Sequence, residues 1–181
     1  MEAKTEPFDK YYQKYENELK AVKNFIPDNE KGLEVGVGSG KFALPLGIKT
    51  GVEPSKEMLR LAEGSGIEVY NAVGEKLPFD NTSFDFVLMV TTICFLTDID
   101  KSFQEVKRVL KEEGSFIIGF VNKASSLGKQ YLNKKEENVF YKEATFYSAG
   151  EVLALLDKYE FSNIEIVQTI FGELSDVNEI Q

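Results

Sequence analysis

Residues 33–42 read Leu-Glu-Val-Gly-Val-Gly-Ser-Gly-Lys-Phe, and this stretch limits the fold more than any other. An apolar run breaks into glycines at 36, 38 and 40, and an apolar segment resumes after them. Glycine accepts positive φ and lets a ligand approach the backbone. In an open α/β sheet such a turn lies at the carboxyl end of a strand, where ligands bind. Two nucleotide loops fail on inspection. A phosphate loop needs a glycine where Val35 sits and Ser or Thr where Phe42 sits. A dinucleotide fingerprint needs its third glycine at position 41, which is Lys41. What remains is Gly36-x-Gly38-x-Gly40 with an acid, Glu34, two residues ahead of it.

The surrounding pattern supports a sheet. Short apolar runs at 33–35, 52, 67–69, 84–90 and 116–121 alternate with helical periodicity, which predicts βαβ units and a parallel sheet. The runs at 87–90 and 116–118 are continuous, as expected of strands covered on both faces. Phe8, Tyr12, Tyr15, Leu19, Val22 and Ile26 recur at steps of four and three and predict a helix over 8–26. Ser55 caps a helix carrying Met58, Leu59 and Ala62. Ile99, Phe103, Val106 and Leu110 form another stripe, and Ser148 with Glu151 makes a capping box. The helix after the glycine loop is short because Pro45 interrupts it. Residues 122–147 break the alternation and read as an insertion.

Composition removes whole classes of chemistry. The chain has no histidine, so Ser-His and Cys-His nucleophilic mechanisms are out, and the commonest zinc ligand is missing; no metal site is expected. Its net charge of −9 argues against nucleic acid, whose phosphates need clustered Lys and Arg. No apolar run approaches the roughly 20 residues of a membrane span, and the amino-terminal residues lack a signal-peptide core. One cysteine cannot make an internal disulfide, so a reduced, cytoplasmic protein is expected.

An acid ahead of a loop with no pyrophosphate to cradle suits S-adenosylmethionine, which carries an ammonium and a sulfonium. A ligand-free glycine turn is the alternative on the loop alone. Glu53 ends the next apolar run, where an acid can accept hydrogen bonds from two ribose hydroxyls. The residues from Gly51 through Glu53-Pro54-Ser55 to Met58, Leu59 and Ala62 resemble the second motif of class I S-adenosylmethionine-dependent methyltransferases. Residues 75–79 and 83–87 resemble the third and fourth, and Glu105, Arg108, Leu110 and Gly114 resemble the helix and turn before strand five. The order is similar to the type-11 group, which includes ubiquinone and menaquinone biosynthesis methyltransferases, and it covers about residues 8–170.

The resemblance implies a single Rossmann-like α/β domain over 1–181, its sheet mostly parallel with helices on both faces. Within it, residues 8–26 are a cap helix, 31–121 the cofactor core and 122–147 a substrate-side insertion. It implies that Glu34 and the backbone of Gly36, Val37, Gly38 and Gly40 hold the methionine portion of S-adenosylmethionine. Glu53 and Pro54 lie at the ribose, and Met58 packs on the adenine. The backbone of Val73, Gly74 and Glu75 reads the base, with Val73 standing where the family usually has an acid. Thr91 lies beside the sulfonium.

The implied reaction is in-line methyl transfer to a small-molecule acceptor. A cofactor-binding module without catalysis is the second reading. Thr92 and Tyr131 are acceptor-side candidates. Tyr15 can pack or line the pocket, and Tyr11, off the apolar stripe, can line it or face solvent. The aromatic residues 131, 140, 141, 146 and 147 form either a lid or a satellite core. Thr91-Thr92-Ile93-Cys94 lacks the proline pair of enzymes that methylate DNA-base amines. Cys94 itself reads as a small buried hydrophobe. Residues 163–171 are expected as a sixth strand. With only 172–181 left, the final antiparallel strand is expected to be absent, or a partner such as a second copy in a homodimer supplies the edge.

Overall fold

The computed structural model describes residues 6–28, 30–139 and 141–169, with side chains from residue 15 onward. Tyr11, Tyr12 and Phe140 fall outside the described side chains. The strands β1 (Gly32–Val35), β2 (Thr50–Val52), β3 (Glu68–Tyr70), β4 (Phe84–Val90) and β5 (Leu110–Gly119) form one sheet in the order β3-β2-β1-β4-β5. Every neighbouring pair is parallel. The order reverses between β1 and β4, and that switch point opens a crevice beyond the carboxyl ends of the strands.

Alternation along β4 feeds two cores. Val87 and Met89 pack on one face with Val106, Val109 and Val152, whereas Phe86 and Leu88 pack on the other with Val22, Ala43 and Ala62. Period-two side-chain direction in a strand produces this division. Helices α1 (Glu6–Lys23), α2 (Ala43–Leu46) and α3 (Lys56–Gly64) serve the second face; α4 (Ile99–Val109) and α6 (Ala149–Lys158) serve the first, and α5 (Ser126–Asn133) lies in the 122–147 segment. Phe103, Val106 and Val109 of α4 are fully buried, each worth about 1.5–3 kcal/mol of transfer free energy. Two caps follow the sequence, Ser55 accepting from the Met58 N–H and Ser148 with Glu151 closing a capping box, and the structure adds Asp98, which accepts from the Lys101 N–H.

Three expectations change. Helix α1 ends at Lys23, and hydrogen-bonded turns carry residues 24–26. Leu110 ends the α4 stripe but already pairs with Phe84, so β5 starts there, and an irregularity between Phe84 and Phe86 absorbs the extra residues. The sixth strand does not form over the described residues 163–169. Phe161 still packs on Phe116 of β5, but a groove lined by residues 117–121 on one side and Val167 and Thr169 on the other then separates the segment from the sheet. Without a ladder to join, Ile164, Ile166 and Val167 stay exposed. The sheet therefore has five parallel strands among the described residues, and residues 172–181 lie outside them.

Candidate active site

The glycine loop sits at the carboxyl end of β1, tied to the end of β2 by the Gly36 and Val37 N–H groups, which both donate to the Val52 carbonyl. Gly36 has φ +74, and a Cβ there would lie 2.6 Å from Thr92 Oγ1. Gly38 also has positive φ, +56, but a Cβ there would meet nothing within 4 Å. The first glycine is thus demanded by packing, and the second leaves open space beside the backbone. Gly40 closes the turn by donating to the Val37 carbonyl, while the Val37 side chain is buried.

Glu34 is 2% exposed on β1, and its Oε2 has no hydrogen-bond partner. Burial pushes its pKa up to about 8, opposed only by the Ala43 backbone N–H. A buried carboxylate oxygen without a donor is costly unless a ligand supplies one. The Tyr15 hydroxyl donates to the Lys41 carbonyl at 2.6 Å, and its ring meets Phe42 edge-on at 5.4 Å, so α1 lies across the loop. Burial, then the charges of Glu16 and Glu34, raise the Tyr15 pKa.

Glu53, at the end of β2, accepts from the Gly38 N–H at 2.9 Å and the Ser55 N–H at 2.8 Å. It therefore joins the glycine loop to the start of α3. Asn71, which no sequence pattern marked, donates to the Glu53 and Pro54 carbonyls at 3.0 and 3.1 Å and fixes the ends of β2 and β3. Met58 and Val73 expose 41% and 44% of their surface, so both offer apolar area for a flat ligand. Gly74 packs under Leu96, Ser102 and Val35. One oxygen of the Glu75 side chain accepts from both the Thr97 and Asp98 N–H groups, which ties the loop to the start of α4. Glu105 and Arg108 anchor the following loop: Arg108 donates to Glu105 and to the Leu77 and Phe79 carbonyls, while Glu105 accepts from the Leu77 N–H.

At the end of β4, Thr91 adopts φ +57, a strained conformation of the kind that collects at functional sites. The Thr92 hydroxyl is shared between the Val35 and Val90 carbonyls and clamps β1 to β4. Cys94 is buried with Ala144 and Phe146, and burial pushes its thiol up to about 11, so it packs as a small hydrophobe. The insertion aromatics form a satellite core. Tyr131 lies 5.0 Å from Tyr141 and 6.1 Å from Phe146, and Tyr141 stacks on Phe95 at 5.9 Å. Thr91 also lines two adjoining cavities, one against Phe146 and Tyr147, the other beneath α1.

The orphaned Glu34 oxygen and the open space at Gly38 fit an ammonium-bearing ligand laid along the loop, as S-adenosylmethionine would be. Comparison with known proteins agrees. A methyltransferase-domain family model matches residues 33–118. The crystal structure of an S-adenosylmethionine-dependent methyltransferase from Thermotoga maritima, which carries the name possible histamine N-methyltransferase, is 46% identical with a TM-score of 0.87. The match covers 92% of this chain and 80% of that one. The uncharacterized protein MJ1123 of Methanocaldococcus jannaschii is 45% identical over 180 residues, 97% of this chain and 87% of the relative. The uncharacterized protein Rv2003c of Mycobacterium tuberculosis is 41% identical over 125 residues, and the match covers 44% of its length. With fold, loop and relatives in agreement, the chain belongs to the class I S-adenosylmethionine-dependent methyltransferases of the type-11 group, and S-adenosylmethionine is its cofactor.

Proposed function

We propose that this enzyme methylates a small-molecule acceptor by in-line displacement, with the acceptor held between α1 and the carboxyl ends of β4 and β5. The observation that carries the reading is Thr91, which borders the crevice at the end of β4 and also lines both cavities. When bound, S-adenosylmethionine supplies a methyl carbon on a cationic sulfur, so the leaving group is a neutral thioether. Glu34 would hold the ammonium, Glu53 the ribose hydroxyls, and Met58 with Val73 the adenine faces. Helix α1 then covers the loop through Tyr15 and walls the acceptor side. Alignment of this kind supplies about 7–11 kcal/mol of barrier reduction, so no histidine is required. The net charge of −9 supports a small acceptor over nucleic acid, and the single free Cys94 suits a reduced cytoplasm.

Calorimetry with S-adenosylhomocysteine tests the cofactor half, and methyl-labelled S-adenosylmethionine with a metabolite extract tests the acceptor half. Micromolar binding and a labelled small molecule are expected. Binding without any transfer would leave a cofactor-binding module instead. Glu53→Ala removes the acceptor of two backbone N–H groups as well as the ribose contact. At about 1.5–3 kcal/mol per hydrogen bond to a charged group, affinity should fall more than tenfold. Unchanged affinity would take Glu53 out of the site.

A further inference from the structure

The corner that would hold the cofactor's ribose is braced by one side chain from the neighbouring strand. The Glu53 carboxylate cannot turn freely, because one oxygen accepts from the Gly38 N–H and the other from the Ser55 N–H. Each oxygen keeps a further lone pair for a ribose hydroxyl. The Glu53 backbone is held from β3. Its N–H donates to the Tyr70 carbonyl at 3.1 Å, which carries the β2–β3 pairing one step past Val52. Both strands have ended there, and the chain after Tyr70 leaves for the turn that the Lys76 N–H closes on the Val73 carbonyl. The Asn71 side chain takes over from the ladder. Its Nδ2 donates to the Glu53 carbonyl at 3.0 Å and to the Pro54 carbonyl at 3.1 Å. An amide nitrogen has two hydrogens, and here each has its own carbonyl on the path from the ribose corner into α3. Asn71 also stands two residues ahead of Val73, which would face the adenine. It is exposed, so its truncation opens no cavity in the core.

We infer that Asn71 is a positioning residue for cofactor binding: it fixes the Glu53 carboxylate relative to the adenine face and so gives the site its selectivity for an intact ribose. This rests on the assignment of Glu53 to the ribose hydroxyls. A carboxylate grips a vicinal diol only when both oxygens meet both hydroxyls at once, and hydrogen bonds weaken steeply with misalignment. Without the Asn71 amide, nothing ties the Glu53–Pro54 carbonyls to the stem of the adenine turn, and the bend can carry the carboxylate off line. The loss falls on the ribose contacts and not on the methionine end, which Glu34 would hold from β1.

The full chain is titrated calorimetrically with S-adenosylhomocysteine and with its 2′,3′-dideoxy form, which lacks both hydroxyls. The unsubstituted protein should bind the dideoxy form about tenfold or more weakly. Asn71→Ala should lower S-adenosylhomocysteine affinity about fivefold to tenfold and leave dideoxy affinity unchanged, so the selectivity collapses. Asn71→Gln, which keeps the donor on a longer arm, should restore part of it. Added to Glu53→Ala, Asn71→Ala should cost nothing further, since the two act through one contact. Thermal melts show that each variant folds. Equal weakening of both ligands, additive in the double variant, is the mark of a purely structural role and would overturn the assignment of Asn71. Undiminished selectivity in Asn71→Ala would overturn it as well while sustaining Glu53 at the ribose. Equal affinity of the unsubstituted protein for the two ligands, with a harmless Glu53→Ala, would overturn both.

Discussion

Replacing Glu34 with glutamine should stabilise the fold while disabling cofactor binding. An unfolded glutamate releases its proton near 4.5, whereas burial holds the Glu34 proton to about 8. The native state therefore binds the extra proton across that window, and stability falls as pH rises through it. The contribution is fully present below 4.5 and is lost above 8. At about 1.4 kcal/mol per pH decade, the upper limit of the penalty is about 3 kcal/mol at pH 7 and about 5 kcal/mol above pH 8. Glutamine stays neutral at every pH and keeps an oxygen for the Ala43 N–H. The gap in Tm between variant and wild type should therefore widen by roughly 10 °C from pH 5 to pH 9, at about 2–4 °C per kcal/mol for a chain of this size. Thermal unfolding of the cofactor-free protein at pH 5, 7 and 9 measures it. The same change leaves a buried ammonium unpaired, at about 3–5 kcal/mol, so S-adenosylhomocysteine affinity should fall more than a hundredfold. A Tm gap independent of pH would refute the burial argument. Undiminished affinity would refute the assignment of Glu34 to the ammonium.

The two loop glycines should fail in different ways. Gly36→Ala drives a Cβ onto Thr92 Oγ1 at positive φ, and it should lower Tm by several degrees through about 1–3 kcal/mol of strain. Gly38→Ala meets open space, so only the left-handed cost of about 1–2 kcal/mol applies, while its methyl enters the cofactor's space and binding is lost. Calorimetry beside thermal melts separates them; equal losses in both assays for both variants would contradict the packing difference. Arg108→Ala removes donors to Glu105 and to the Leu77 and Phe79 carbonyls. Because the Arg108–Glu105 pair is partly exposed, a loss of about 2 kcal/mol is expected, seen as a Tm drop of roughly 4–8 °C. An unchanged Tm would show that the pair does not hold the loop.

Much of the cofactor half was legible because it is local. Strand, glycine turn and acid lie within a few residues, and turn geometry follows from residue type at short range. The third motif was only half legible. Val73 is exposed and Gly74 is packed under Leu96, but the sequence did not show that one oxygen of Glu75 is engaged by the amino terminus of α4, a partner 22 and 23 residues away. Asn71 carried no signal, since an asparagine after a strand is usually a turn residue. Residues 163–171 read as a strand because alternation reports a capacity to pair, and it cannot show that a groove will stand where the partner should be.

Helix α1 shows the division most plainly. Its periodicity established that it is a helix with an apolar stripe through Tyr15, Leu19 and Val22, and local spacing suffices for that. Toward the cavity the helix turns Glu18, Ala21 and Val22, of which Val22 belongs to the stripe as well, and Phe25 joins them from the turn beyond the helix end. That rotation depends on where α1 crosses the ends of β4 and β5 and on which residues those strands present, contacts almost a hundred residues distant. The sequence by itself determined a glycine-loop α/β enzyme that works without imidazole. Tertiary structure alone decided how two of its thirty acids are placed, because burial leaves Glu34 with an oxygen lacking a donor and the start of α4 engages one oxygen of Glu75.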